Sequence, residues 1–310
     1  MNQRKDHLDT LAVGLLVGCC FLWGLNQVAV KLAIPEVPAL VQAAVRSIAA
    51  ALLVLLWSRS RGIPLFERDG SLPGGLAAGL LFAAEFACIF IGLQYTSASR
   101  MVVFIYLSPF VVALGMPFIA HGERLSALQI GGLVGAFAGV AWAFAGGFSE
   151  PVVGPQQLLG DALGVLGALL WGATTLTIRG TRLNVASAEK TLFYQLAVSG
   201  VALAAAAFVS GERWPIDLSP TAWSSLLFQA VIVSFASYLI WFWLIRHYPA
   251  TRLASFSLLT PVFGLLLGAL LLGEPITLRL VVALVAVAAG IYIVNRRPKV
   301  VASGADPGDQ

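Results

Sequence analysis

Arg46 and Glu85 are the two charged side chains that fall well inside long apolar stretches of this sequence. On insertion scales each costs about 2.5–3.5 kcal/mol at the middle of a membrane helix, so each needs a reason to be there. Arg46 lies eight residues, about 12 Å at helical rise, below one end of its stretch. Glu85 lies eleven residues, about 17 Å, above the opposite end of its own. Together these depths come to roughly the hydrocarbon thickness of a bilayer, which lets the two charges meet. The chemistry available to them is an ion pair that offsets insertion cost, a gate, or a contact for a charged group on a substrate. Catalysis would need more. Hydrolysis or group transfer calls for clustered acids, bases or metal ligands, whereas His7, His121 and His247 stand at stretch ends and Glu85 is the sole carboxylate of the interior. Cys19, Cys20 and Cys88 lie in apolar runs and show no metal-ligand spacing. No catalytic residue, metal or cofactor is expected.

Binding chemistry is better represented. Trp23 is followed at i+3 and i+4 by Asn26 and Gln27, and Trp171 by Thr174 and Thr175, so each helix carries an aromatic ring and polar groups on one face. Ser234, Ser237, Tyr238 and Trp241 form a third such stripe, whose counterpart 152 residues earlier is Phe82, Glu85, Phe86 and Ile89. Polar groups turned toward lipid are costly, which favours a cavity lined by Trp23, Gln27, Trp171, Thr175, Tyr238 and Trp241. Packing between helices accounts for the same stripes, and both readings stand. Pro109 and Pro261 fall near the middle of their stretches, where each frees the carbonyl four residues earlier, at Ile105 and Ser257. Both are candidate hinges. Gly131, Gly135 and Gly139 read as a seam for close helix packing.

These residues need long helices to hold them. Of 310 residues 59% are hydrophobic and 11% charged, with a mean hydropathy of +0.88, whereas soluble domains are about one-quarter charged. Apolar stretches of membrane-crossing length cover 11–30, 39–57, 74–94, 101–120, 127–148, 158–178, 191–209, 221–245, 253–272 and 278–294. Short connections leave no room for a soluble domain. Lys31, Arg100, Arg213 and Arg279 are the only basic residues assigned to one face, Arg46 is interior, and the other fourteen of the nineteen lie on the face of the N-terminus. Basic residues are retained in the cytoplasm. Both termini are therefore expected there, and the net charge of +4 reflects orientation, with no call for a nucleic-acid partner.

The chain also repeats itself. Leu22-Trp23-Gly24, ending on Lys31, matches Leu170-Trp171-Gly172, ending on Arg179, at an offset of 148. Residues 95–100 match 247–252, Ser108-Pro109 matches Thr260-Pro261, and Gly122-Glu123 matches Gly273-Glu274, at offsets of 152 and 151. Glu123 and Glu274 precede the fifth and tenth stretches, where a carboxylate favours the positive end of a helix. Residues 1–150 and 151–298 thus form two halves of five spans, followed by a tail at 299–310. An odd number of spans inverts the second half in the membrane. The expected fold is an all-α integral membrane protein of ten transmembrane helices in two inverted five-helix repeats. LVGC ending at Cys19 looks like a lipoprotein cleavage box, but the apolar run continues beyond it and cleavage would discard part of a duplicated unit.

These repeated motifs, in this order and over nearly the whole chain, resemble the EamA-type drug/metabolite transporters, and within them the YddG-like exporters of aromatic amino acids. The resemblance implies a plasma (inner) membrane transporter that moves small metabolites outward through a central cavity between the halves. Nucleotide sugars or organic phosphates would want several converging bases, and only Arg46 is available, so uncharged or zwitterionic metabolites are favoured. Small four-helix relatives exchange protons on a carboxylate of their first helix. Here the first and sixth spans carry none inside, although Asp161 lies near the start of the sixth; this departure argues against proton antiport and leaves facilitated export open beside it. The expected partners are a small-molecule substrate and the lipid bilayer, with oligomeric state open. The orientation is checked by Ser303→Cys in an otherwise cysteine-free chain. An impermeant thiol reagent added to intact cells is expected to leave it unlabelled, and labelling overturns the topology.

Overall fold

The computed structural model describes residues 9–119, 126–149, 154–248, 253, 257 and 259–294. Glu123, Ser303 and the tail at 299–310 lie outside the described residues. Every described element is helical. In chain order these are α1 (Thr10–Ala33), α2 (Ala39–Ser60), α3 (Leu72–Gly92), α4 (Ala98–Ile105), α5 (Ser108–Ile119), α6 (Ala127–Ser149), α7 (Gln157–Gly180), α8 (Ala188–Val209), α9 (Pro220–Leu227), a π-helical segment (Phe228–Ser237), α10 (Tyr238–His247), α11 (Leu259–Leu272) and α12 (Leu278–Val294). Seven helical runs are long and apolar enough to cross a membrane, with α4 and α5 counted as one and Pro220–Leu244 as another. Ala127–Ala143, Leu259–Leu272 and Leu278–Ile293 are apolar but shorter. The protein is a multi-pass, all-helical membrane protein.

Local chemistry sets where the helices start and stop. Asp9, Ser97, Ser187 and Ser219 each accept a backbone N–H from the first turn of α1, α4, α8 and α9, at 2.9–3.2 Å. Such caps satisfy donors that no carbonyl of the helix can reach. Gly62, Gly211 and Gly273, at φ of +64°, +71° and +66°, follow α2, α8 and α11 in the left-handed conformation that ends helices cheaply only at glycine. On the face where α3 begins, Lys190 of α8 donates to Asp69 at 2.8 Å and to the Glu67 carbonyl at 2.9 Å. That bond, with those from Ser71, holds the Asp69 carboxyl well below the usual carboxylate range. Its stabilisation is complete above that range and is lost as pH falls through the depressed value.

Small residues decide which helices touch. α1 lies on α11 where Gly24 faces Phe263 and Gly264, α3 lies on α8 where Gly75 and Gly79 face Tyr194 and Val198, and α3 and α4 lie on α7 around Gly160, Gly164 and Gly167. A side chain at any of these positions would hold the backbones apart. α2 packs on α8 and the π segment, α5 on α7, and α6 on α12. In the last pair the expected glycine seam is displaced by helix rotation. Gly131 and Gly135 face open space, whereas Gly132 and Gly139 meet Ile293 and Ala286, and Gly290 lies against the Gly132 carbonyl, Ala136 and Phe110. A Cβ at Gly290 would sit 2.7 Å from that carbonyl. Overpacking of this kind costs about 1–3 kcal/mol. Gly290→Leu is therefore expected to lower the thermal midpoint of the purified protein clearly, and Gly131→Leu to leave it unchanged; equal shifts would contradict the packing.

Candidate functional site

Two interruptions of α-helical winding frame the middle of the molecule. Residues Phe228–Ser237 wind as a π-helix before α10 resumes the α form, a local unwinding often found at functional positions. The fourth apolar stretch breaks between Ile105 and Ser108, immediately after the carbonyl that Pro109 leaves without its helical partner. Pro261 lies in α11, with helical Ser257 four residues before it.

The π segment delivers Ser237, Tyr238 and Trp241 to α1. Trp23 donates its indole N–H to Ser237 Oγ at 2.9 Å, and the Ser237 hydroxyl donates to the Val233 carbonyl at 2.6 Å. The Trp23 ring lies edge-on to Trp241 at 5.3 Å and to Tyr238 at 6.4 Å. These three expected site residues therefore form one aromatic cluster, each ring half-buried. Arg46 joins it from α2, with Nη2 3.5 Å from the Tyr238 hydroxyl.

Arg46 and Glu85 do not meet as a direct ion pair. The guanidinium instead stacks on Phe86, 3.8 Å from the ring centroid, with Phe90 at 5.5 Å. The neighbouring residue of α3 has displaced the carboxylate, because a ring face holds a guanidinium plane while leaving its N–H edge open. Arg46 is fully buried and Glu85 is 3% exposed. Arg46 Nε and Nη1 and Glu85 Oε2 have no hydrogen-bond partner among the described residues, nor do Asn26 Oδ1, Gln27 Oε1 and Ser234 Oγ. Buried polar atoms are normally paired, since leaving one unpaired costs its desolvation.

Trp171 and Thr175 stand apart from this cluster. Trp171 is edge-on to Tyr106 at 6.3 Å and borders the same apolar core as Tyr238. Thr174 and Thr175 donate to the Leu170 and Trp171 carbonyls at 2.9 and 3.1 Å, so their protons are occupied and only lone pairs remain for a ligand. Gln27 is buried on α1. Tyr106, which was not among the expected residues, lies at the α4–α5 break beside Thr260; its place directly after the carbonyl freed by Pro109 is the signal that could have found it.

A second polar group occupies the ends of α1, α4, α7 and α11. Arg100 donates to Asp161 through Nε at 3.0 Å and through Nη2, and to the Ala143 carbonyl at 2.9 Å, while Thr96 donates to Asp161 at 2.6 Å. Asp161 is thus fully engaged. Glu274 caps a helix, though not the one that follows it. Its carboxylate accepts the Ala98 and Ser99 N–H groups of α4 at 2.7 and 2.9 Å and the Ser99 hydroxyl at 2.6 Å, with Lys31 at 3.6 Å. Removing one partner of a buried pair strands the other, at about 3–5 kcal/mol. Arg100→Gln or Asp161→Asn alone is expected to lower thermal stability more than the double substitution, and additive losses would contradict the coupling.

No cluster of metal-binding side chains occurs among the described residues. The family model described as the EamA-like transporter family matches residues 10–145 and 158–296. The uncharacterized transporter YvbV of Bacillus subtilis is 27% identical over 96% of this chain and 95% of its own. A probable amino-acid metabolite efflux pump of Escherichia coli is 26% identical over 94% and 95%. One solved crystal structure superposes with a TM-score of 0.64 at 17% identity, covering 91% of this chain and 95% of that one, and supports the fold alone. With all but its ends and one short connection matched, the chain belongs to the EamA-like transporter family.

Proposed function

We propose that this protein exports small uncharged or zwitterionic metabolites, aromatic and other apolar amino acids first among them, across the plasma membrane by alternating access. The observation that carries this reading is the mid-helix site itself, where the rings of Trp23, Tyr238 and Trp241 stand beside buried polar atoms that the protein leaves unpartnered. Rings offer stacking and dispersion to an apolar side chain, and polar atoms without protein partners are free to bind its polar end. Export agrees with the printed name of the Escherichia coli relative. Facilitated movement fits the engagement of Asp161 by Arg100 and Thr96, which occupies the carboxylate oxygens with protein donors.

Alternating access rests on the repeat. In the reading with ten spans, the three shorter apolar helices complete the set, and the two family segments coincide with its halves. Helix pairing supports an exchange of halves, since α1 on α11 corresponds to α5 on α7, and α3 on α7 to the π segment on α1. One contact recurs at opposite helix ends with both members shifted by 152 residues. Thr96 donates to Asp161 at 2.6 Å, and Tyr248 donates to Asp9 at 2.9 Å. Inverted repeats of this sort let inward-open and outward-open states be two versions of one arrangement. Both termini then face the cytoplasm.

Counterflow in proteoliposomes tests the site. Trp241→Ala and Tyr238→Ala are each expected to reduce phenylalanine or methionine counterflow at unchanged protein level, and to reduce alanine counterflow less. Unaltered transport in both variants, with normal expression, would place the substrate elsewhere.

A further inference from the structure

Arg46 and Glu85 present an uncommon combination, because opposite charges buried side by side ordinarily close on each other. Here both are buried, Arg46 lies seven residues after the start of α2 and Glu85 seven before the end of α3, each about 10 Å deep, and yet no N···O approach falls within 4.0 Å. Phe86 explains the separation. By holding the guanidinium against its face, it fixes Arg46 in place while the next residue back along α3, Glu85, projects to a different side of the helix. Glu85 remains within electrostatic reach of both Arg46 and Tyr238. The result is a guanidinium with open N–H donors and a buried carboxyl group with an open oxygen, at one depth, beside the aromatic cluster.

We infer that Arg46 and Glu85 together form a zwitterion-reading clamp: the open N–H edge of Arg46 takes the α-carboxylate of an amino acid and Glu85 Oε2 takes its α-ammonium. This rests on the exporter reading above and deepens it by making a free carboxylate and a free ammonium joint requirements of the substrate. A zwitterion between the two completes an alternation of charge, so neither protein charge is left uncompensated and no net charge enters the membrane interior. A single-charge ligand does worse. A carboxylic acid without the amine pairs with Arg46 and leaves its bulk beside an unpaired carboxylate, and an amine without the carboxyl does the converse. The Tyr238 hydroxyl, at 3.5 Å from Arg46 Nη2, links the clamp to the rings that would hold the side chain. The device separates recognition of the backbone end, common to all amino acids, from recognition of the side chain by Trp23, Tyr238 and Trp241.

The test uses the full-length protein in proteoliposomes loaded with phenylalanine, with labelled phenylalanine counterflow challenged by phenylalanine, phenylalanine amide and 3-phenylpropionate. Charge-assisted hydrogen bonds set the expected gap, so each truncated analogue should compete about tenfold or more weakly than phenylalanine. Arg46→Gln is expected to narrow the gap between phenylalanine and its amide, and Glu85→Gln that between phenylalanine and 3-phenylpropionate, each leaving the other gap in place. Should either variant fail to fold, the competitor series on the unsubstituted protein decides alone. Equal competition by all three ligands overturns the clamp while leaving the exporter reading intact. Absence of counterflow for phenylalanine, tryptophan and methionine in the unsubstituted protein overturns both.

Discussion

The constraint on which everything else depends is that a polar atom inside a bilayer has no water to fall back on. Each N–H, carbonyl, hydroxyl or charge must find its partner within the protein or remain costly. The molecule meets this demand in two ways. Near the helix ends several buried charges are fully engaged. Asp161 receives Arg100 and Thr96, Arg100 also reaches the Ala143 carbonyl, and Glu274 receives two backbone N–H groups and a hydroxyl. Gln229 joins Gln42 to Ser225, which itself donates to the Ala29 carbonyl, while Gln229 Oε1 and Gln42 Nε2 stay open. In mid-helix, around Arg46, Glu85, Asn26 and Gln27, the protein leaves its own polar atoms open. Complete satisfaction builds a scaffold, and incomplete satisfaction is what a binding site for a polar ligand requires.

Helix packing makes the incomplete site possible. Glycines at 24, 75, 79, 164 and 167 bring backbones together, so that side chains on the remaining faces converge over short distances. The π winding of Phe228–Ser237 then turns the following helix. In strict α geometry Ser234, Ser237, Tyr238 and Trp241 would share one stripe. With wider winding up to Ser237, the two serines are buried, and Tyr238 and Trp241 remain half-buried beside Trp23. Ser237 spends its proton on Val233 and its lone pair on Trp23, which fixes the indole without using a group the ligand would need.

Much of this was legible in the sequence, for identifiable reasons. Apolar runs report helices because only helices or closed barrels satisfy the backbone in lipid, and a deep charge or a deep tryptophan stands out against such runs. Trp23, Tyr238, Trp241 and Arg46 were legible for that reason. What escaped depends on rotation and on partners. Periodicity placed the glycine seam on Gly131, Gly135 and Gly139, whereas helix rotation puts Gly132 and Gly139 in contact. Depth showed that Arg46 and Glu85 can meet, but could not show that Phe86, one residue on, offers the guanidinium a ring face instead. Glu274 was legible as a cap, yet its helix is α4, which is distant in sequence. The π winding leaves no mark in composition.

Magnitudes also indicate where such a molecule can move. Arg100, Asp161, Thr96, Ala143 and Glu274 bind α4, α6, α7 and α11 through short, buried bonds, and stranding one of these charges costs about 3–5 kcal/mol. Trp23, Gln42, Glu212 and Ser225 bind α1, α2, α9 and the π segment through bonds of their own. Between these two sets run the glycine contact of α1 on α11 and the Lys31 links to Thr96 and Glu274. The Lys31–Glu274 contact is 3.6 Å long, a looser link than the short bonds within either set. The surface between the sets therefore resists sliding least, and it passes α1 beside Trp23. A shear along it leaves the Arg100–Asp161 pair intact, so the bonds that seal the helix ends do not oppose such a motion.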